Sequence, residues 1–197
     1  MLAGNLASAR SPEPPRAPAV MHDIDRAAID ARVIALFDNA SLRSQVRKLD
    51  KVELSSVWRL TLQVLSRKGA SVAEPVSPIE VHRRMLAGLA GETLLVSSAM
   101  FLSNLAEAEK FFDLSFKTIK ARLGGSLDIA ASEKAMRAAR ATMTAAEVLG
   151  GYDAARAYMH TRNFALGGAT PAELVKTSDG ERIVLNELDA QAEGGPL

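Results

Sequence analysis

Apolar residues recur at every third or fourth position along most of this chain, a spacing that places them on one face of an α-helix. Residues 23–37 and 52–67 show this pattern first, and each predicts an amphipathic helix. A basic cluster separates the two, and we interpret it as a solvated face: Arg43, Arg47, Lys48 and Lys51. Trp58, the only tryptophan, is expected to be a buried anchor of the second helix.

The same spacing continues further along the chain, where helix start and stop signals divide it into short segments. Helices are predicted near residues 80–87, 92–103, 105–112, 115–123, 132–149, 153–160 and 178–192. Ser132 is expected to be the N-cap of the longest one. The apolar positions of that helix are expected to face the core: Met136, Ala139, Met143 and Ala146. Glycine pairs fall at predicted helix ends, and no β-hairpin or internal repeat is evident, so the sequence predicts an all-α helical bundle.

A short turn, Asp113-Leu114-Ser115, joins the predicted helix near 105–112 to a second helix at Phe116–Leu123, which is typical of a helix-turn-helix. Residues 116–140 carry six Lys or Arg against two Asp or Glu, and such side chains can contact DNA phosphates or guanine edges. The candidate DNA-binding residues, all expected to face outward, are Lys117, Thr118, Lys120 and Arg122. Asp113 and Glu109 occupy positions that often hold glycine or another small residue. The alternative is therefore that this helix pair is only an element of the fold.

The amino-acid composition mainly excludes certain classes of protein and of site. Apolar residues make up 48% of the 197 residues, so a real core can form, while the net charge of +1 gives no general attraction to nucleic acid or membrane. The absence of cysteine excludes disulfides and thiolate metal sites, and it fits a reducing compartment. No apolar run approaches the roughly 18 residues that span a bilayer, and the N-terminus is a poor secretory signal. We expect a cytoplasmic protein without membrane association.

Motifs of catalysis are also missing from the sequence. There is no phosphate-binding glycine loop, no dinucleotide-binding glycine motif and no nucleophile elbow. The three histidines, His22, His82 and His160, are not at the spacing of metal ligands on a helix. We expect a protein that is not an enzyme, with no cofactor and no metal.

Proline and glycine indicate how the chain is divided. Residues 1–22 contain four of the eight prolines and are predicted to be a disordered tail. Residues 23–78 are predicted to be a helical segment that ends in a Pro- and Gly-containing linker, and this segment is expected to support dimerisation. Residues 79–149 would form a helix-turn-helix region that resembles DNA-binding proteins, and residues 150–197 would form a small C-terminal helical subdomain.

The C-terminal subdomain has the most distinctive sequence in the chain. A glycine pair at 167–168 predicts a tight turn that leads into a helix. That helix has an N-cap, a first-turn proline and a capping-box glutamate: Thr170, Pro171 and Glu173. Residues 173–197 carry six Asp or Glu against two Lys or Arg. The simplest interpretation is ordinary helix punctuation followed by a solvated acidic tail.

A more specific interpretation comes from the order of residues in this region. The order is Ala154, Tyr158-Met159, Asn163, Ala165-Leu166-Gly167-Gly168-Ala169-Thr170-Pro171, Glu173-Leu174, Thr177 and Gly180. It resembles the toxin-binding domain of the Xre/MbcA/ParS antitoxin family, which has a Leu-Gly-Gly-x-Thr-Pro core before a final helix. Tyr158-Met159 stands where that family has Trp-Leu, and Arg162 stands where it usually has proline. The resemblance extends upstream through the predicted helix-turn-helix and covers residues 80–195.

The resemblance implies an antitoxin of a type II toxin-antitoxin system. Such a protein would be a homodimer that covers the active site of a cognate toxin, expected to be an NAD-consuming RES-domain protein. It would also repress its own operon by binding operator DNA. The candidate toxin-binding residues are Leu166, Gly167, Gly168, Thr170, Pro171, Glu187 and Glu193. The alternatives are a DNA-binding transcriptional or partition-like regulator with no toxin partner, an adaptor for another enzyme, and a glycine turn that only shapes the fold.

Overall fold

Helices account for nearly all regular structure in residues 77–194, which are the residues that the computed structural model describes. The eight α-helices of this part are α1 (Pro78–Ala87), α2 (Glu92–Phe101), α3 (Leu105–Phe112), α4 (Phe116–Arg122), α5 (Ile129–Leu149), α6 (Tyr152–His160), α7 (Pro171–Leu174) and α8 (Ser178–Ala192). An isolated antiparallel bridge joins Ala90 to Ser126. The prediction of an all-α helical bundle is confirmed. The predicted tail, the helices at 23–37 and 52–67, and Trp58 lie outside the described residues.

Most of these helices begin at a side chain that accepts a hydrogen bond from the first turn. The capping residues are Ser77, Asn104, Ser115, Asp128, Thr170 and Thr177. The expectation that Ser132 caps α5 is wrong, because the helix begins one turn earlier, where Asp128 accepts a hydrogen bond from the Ala131 N–H at 2.8 Å. Ser132 is buried instead, and its hydroxyl accepts a hydrogen bond from the Leu89 N–H at 3.1 Å.

The long helix α5 lies at the centre of the bundle and packs against α2, α6 and α8. Its buried positions include many alanines together with Met136 and Met143, as predicted, and such small side chains let neighbouring helices approach closely. Helix α2 is buried from Thr93 to Phe101, which is typical of a helix that is apolar on nearly all sides. One continuous core includes Leu94 of α2 and Leu188 of α8. The predicted regions 79–149 and 150–197 therefore share one core where the structure describes them, so a boundary at residue 149 would divide function and not packing.

Backbone hydrogen bonds connect the loop before α2 to the loop after α4. The Gly91 N–H donates to the Gly125 carbonyl at 2.8 Å, and the Leu127 N–H donates to the Leu89 carbonyl at 2.8 Å. A Cβ at Gly91 would lie 1.9 Å from the carbonyl oxygen of Arg122, so this approach requires glycine. These contacts fix the end of α4 on the bundle.

Candidate functional site

Residues 163–169, which we call the Asn163 loop, form a turn that closes on itself between α6 and α7. The Asn163 N–H donates to the Ala169 carbonyl at 3.1 Å, and the Gly168 N–H donates to the Asn163 carbonyl at 2.9 Å. A 3-10 turn, Phe164–Leu166, lies inside the loop and is capped by the Asn163 side chain, which accepts from the Ala165 N–H at 2.8 Å. Gly167 and Gly168 follow with φ of 67° and 81°, a backbone conformation that residues other than glycine rarely adopt. The predicted tight turn is present.

The carboxylate of Glu187 on α8 connects this loop to the helix bundle. It accepts hydrogen bonds from the Tyr158 hydroxyl, from the Asn163 amide at 3.1 Å and from the Gln191 amide. We call these four side chains the Glu187 network. Burial, together with the hydrogen bond to Glu187, raises the pKa of the Tyr158 hydroxyl well above its ordinary value. The network therefore holds α6, the Asn163 loop and α8 in one arrangement.

The predicted capping box at the start of α7 is confirmed. The Thr170 hydroxyl accepts from the Glu173 N–H at 3.2 Å, and the Glu173 carboxylate accepts from the Thr170 N–H at 3.0 Å. The hydrogen bond from the Thr170 N–H is the main reason why the pKa of Glu173 lies below its ordinary value, and the nearby Arg162 contributes. The Asn163 loop is thus fixed at both ends, by α6 and the Glu187 network on one side and by α7 on the other.

The structure separates the candidate toxin-binding residues into two groups. Leu166 and Pro171 are buried, so their side chains contribute to packing. The Thr170 hydroxyl is engaged in the capping box, and Glu187 is engaged in its network. The more accessible members of the set are Gly167, Gly168 and Glu193, of which Gly167 and Glu193 are exposed and Gly168 is half-buried.

One surface residue of the Asn163 loop escaped the sequence analysis. Phe164 is 98% exposed, more than any other large hydrophobic residue in the described part of the chain. The sequence gives only part of the signal: Phe164 lies between Asn163 and a glycine pair, outside any predicted amphipathic helix, but its exposure also depends on which surfaces the other helices cover.

The C-terminal acidic excess is partly used inside the fold. Glu181 of α8 is only 7% exposed and forms an ion pair with Arg140 of α5. Asp179 pairs with Arg182 at 3.3 Å on the exposed side of the same helix. Two of the six acidic residues of the segment 173–197 are therefore paired with arginines within the chain.

Helices α3 and α4 and the turn between them match the predicted helix pair. Asp113 adopts the left-handed conformation with φ of 55°, which asparagine and aspartate tolerate better than most residues. Glu109 accepts a hydrogen bond from the Phe116 N–H and thereby satisfies the start of α4. Ile119 is fully buried, as expected for the residue that packs the second helix on the first.

The basic side chains of residues 116–140 are mostly neutralised within the chain. Arg122 pairs with Asp128 at 2.7 Å, Lys134 pairs with Asp113 at 2.8 Å and Arg137 lies 3.6 Å from Glu133. The expectation that Arg122 faces outward is wrong, because the N-cap of α5 follows closely and its carboxylate binds the guanidinium. Lys117 is exposed, whereas Thr118 and Lys120 are half-buried.

The charged groups of residues 77–194 include no cluster of three or more His, Asp or Glu that could hold a metal ion. No helix in this same range combines the length and the apolar character needed to cross a membrane.

A comparison with protein families identifies the region that contains the Asn163 loop. Residues 144–194 match the model of the antitoxin Xre/MbcA/ParS C-terminal toxin-binding domain. The match runs from the last turns of α5 through α6, the Asn163 loop and α7 to the end of α8. No curated protein matches this chain. The segment formed by residues 144–194 is thus similar to the C-terminal toxin-binding domain of the Xre/MbcA/ParS antitoxins.

Proposed function

We propose that this protein is the antitoxin of a type II toxin-antitoxin system and neutralises an NAD-consuming RES-domain toxin by covering its active site. The observation that carries the proposal is the family match over residues 144–194. Within that segment, the surface offered to the toxin is the Asn163 loop together with Glu193, the exposed residue that caps the C-terminal end of α8.

The geometry of the Asn163 loop supports this role. Its backbone is closed by internal hydrogen bonds, and its ends are fixed by the Glu187 network and by the capping box of α7. A surface that is already ordered loses little conformational entropy on binding, so more of the contact energy is available as affinity. Glu193 adds an exposed carboxylate that could complement a basic nucleotide-binding pocket.

The first experiment uses the product of the reading frame adjacent to the gene for this chain. Expression of that product alone is expected to arrest growth and to lower cellular NAD, and co-expression of the full chain is expected to reverse both effects. Growth arrest without a fall in NAD would contradict the RES assignment. Growth arrest that the full chain does not relieve would contradict the antitoxin role itself.

The second experiment locates the surface with a matched pair of glycines. Gly167 and Gly150 both have positive φ, and a Cβ at either one would meet no atom within 4 Å. Gly167→Arg and Gly150→Arg therefore carry a similar backbone cost of about 1 kcal/mol. We expect Gly167→Arg to lose rescue and Gly150→Arg to keep it. Rescue by both variants would exclude the Asn163 loop from the interface. A truncation that removes the C-terminal end of α8 would test this surface less specifically, because it would also remove the fully buried Leu188 from the core.

A second candidate function is binding of operator DNA by a homodimer through α4, which would repress the operon. The exposed Lys117 on a well-capped helix favours it, with Lys120 and Thr118 beside it. Each lost phosphate contact should lower the slope of log affinity against log salt by about one unit. Lys117→Ala/Lys120→Ala should reduce that slope on the native promoter, and Arg182→Ala should not. An unchanged slope and affinity would exclude α4 as the DNA-binding helix.

A further inference from the structure

Phe164 presents nearly its whole side chain to solvent. Its exposed fraction is 98%, whereas the next most exposed large hydrophobic residues of the described part, Ile79 and Leu86, are at 57% and 56%. Burial of a Phe side chain is worth about 1.5–3 kcal/mol relative to full exposure. The ring contributes little to the fold, so its removal should leave the folded state intact while it deletes the largest apolar feature of the loop.

The backbone that carries Phe164 is held in place. Its carbonyl accepts from the Gly167 N–H at 3.0 Å, and the preceding residue, Asn163, caps the 3-10 turn and bonds to Glu187. Only the two side-chain torsions of the ring remain to be ordered on binding. Aromatic residues are efficient anchors for this reason, since they bury a large area at a small entropic cost.

The surroundings of Phe164 fit an apolar centre with a polar rim. Gly167 is exposed and has no side chain, so a partner can approach the backbone beside the ring. Arg162 is exposed and donates to the Gly168 carbonyl at 3.2 Å, and the Glu173 carboxylate lies close enough for Arg162 to lower its pKa. Protein interfaces commonly have this form, in which a few buried aromatic or arginine residues are surrounded by polar contacts.

We propose that Phe164 is the central anchor of the toxin interface and inserts into an apolar pocket on the toxin. This inference rests on the proposed antitoxin function and adds to it the residue that anchors the interface. The toxin is favoured as the occupant because Phe164 lies within residues 144–194, the segment that matches a toxin-binding domain.

The test measures binding of the full chain to the purified product of the adjacent reading frame by isothermal titration calorimetry. Phe164→Ala is expected to weaken binding by about 30-fold or more, whereas Phe164→Leu should retain most of the affinity. Leu86→Ala is the matched control, because Leu86 is exposed and lies on α1, outside the matched segment. It should bind like the wild type. All three variants should keep the wild-type melting temperature, since none removes a buried group.

Two results would overturn the inference without touching the antitoxin role. One is Phe164→Ala binding within about threefold of the wild type. The other is a change of oligomeric state in Phe164→Ala alone by light scattering, which would make a second copy of the chain the occupant. A wild-type chain that does not bind the toxin candidate would instead contradict the proposed function, and this inference would fall with it.

Discussion

Gly180 provides a prediction in which two physical effects have opposite signs. It lies in the first turn of α8, and replacement by alanine would favour the helix by about 1 kcal/mol through backbone propensity alone. In the structure, however, a Cβ at this position would lie 1.9 Å from the Leu174 carbonyl oxygen and 2.6 Å from its carbonyl carbon. Both are backbone atoms at the end of α7, so no side chain can rotate away.

The size of the steric effect follows from how firmly α7 is held. The Leu174 carbonyl accepts a hydrogen bond from the Thr177 N–H at 3.1 Å, and the Leu174 N–H donates to the Thr170 carbonyl at 3.2 Å. Overpacking in well-ordered regions typically costs about 1–3 kcal/mol, and a collision with fixed backbone belongs at the upper end. After the propensity gain is subtracted, we expect Gly180→Ala to lower the free energy of unfolding by about 2 kcal/mol.

The assay is urea unfolding of the full chain, followed by circular dichroism at the helical signal. Asn186→Ala is the control, because Asn186 is exposed on the same helix and its replacement should be neutral or slightly stabilising. If Gly180→Ala is as stable as the wild type or more stable, the close contact between α7 and α8 does not exist in solution. A loss of similar size in both variants would point to a general sensitivity of α8 instead.

Three further predictions concern ionisable groups. Asp128→Ala should cost about 1 kcal/mol in urea unfolding, whereas Asp128→Asn should cost less because asparagine also caps helices. The Ala131 N–H donates to Asp128 and the Thr170 N–H donates to Glu173, and these hydrogen bonds hold the pKa of each carboxyl below its ordinary value. The two ionised carboxylates therefore stabilise the folded state above about pH 4, and this stabilisation is lost as the pH falls. Melting temperatures should fall on acidification, and less steeply in Glu173→Gln. The raised pKa of Tyr158 has the opposite consequence, because its neutral hydroxyl stabilises the folded state below about pH 10 and this stabilisation is lost as the pH rises. Thermal melts above that pH should decline less in Tyr158→Phe than in the wild type.

Helix ends could be predicted from the sequence where the capping signal is local. The predicted bounds 105–112 and 178–192 coincide with α3 and α8, because Asn104 and Thr177 cap their own first turns. The start of α5 was misplaced because Asp128 and Ser132 are both suitable caps. The choice between them depends on a tertiary contact, the hydrogen bond from Leu89 to Ser132.

The candidate site could be predicted only in part, for a similar reason. The glycine turn and the capping box follow from local sequence, and both are present. Charge counts, by contrast, do not reveal which charges meet across the fold, as Arg140 and Glu181 do. The exposure of Phe164 also depends on which surfaces the other helices cover, and periodicity within one segment cannot supply that information.

The position of α5 links the two ends of the described chain thermodynamically. Its buried face belongs to one core that includes Phe111 and Ile119 of the helix pair as well as Val184 of α8. A ligand that binds only the folded state stabilises every element that unfolds together with its site, by about 2.7 kcal/mol at a concentration one hundred times its dissociation constant. If the proposed function holds and toxin binds at the Asn163 loop, it should therefore also slow amide hydrogen exchange in α3 and α4, which lie outside that loop. The lifetime of the helix pair against cellular proteases would then follow the concentration of toxin.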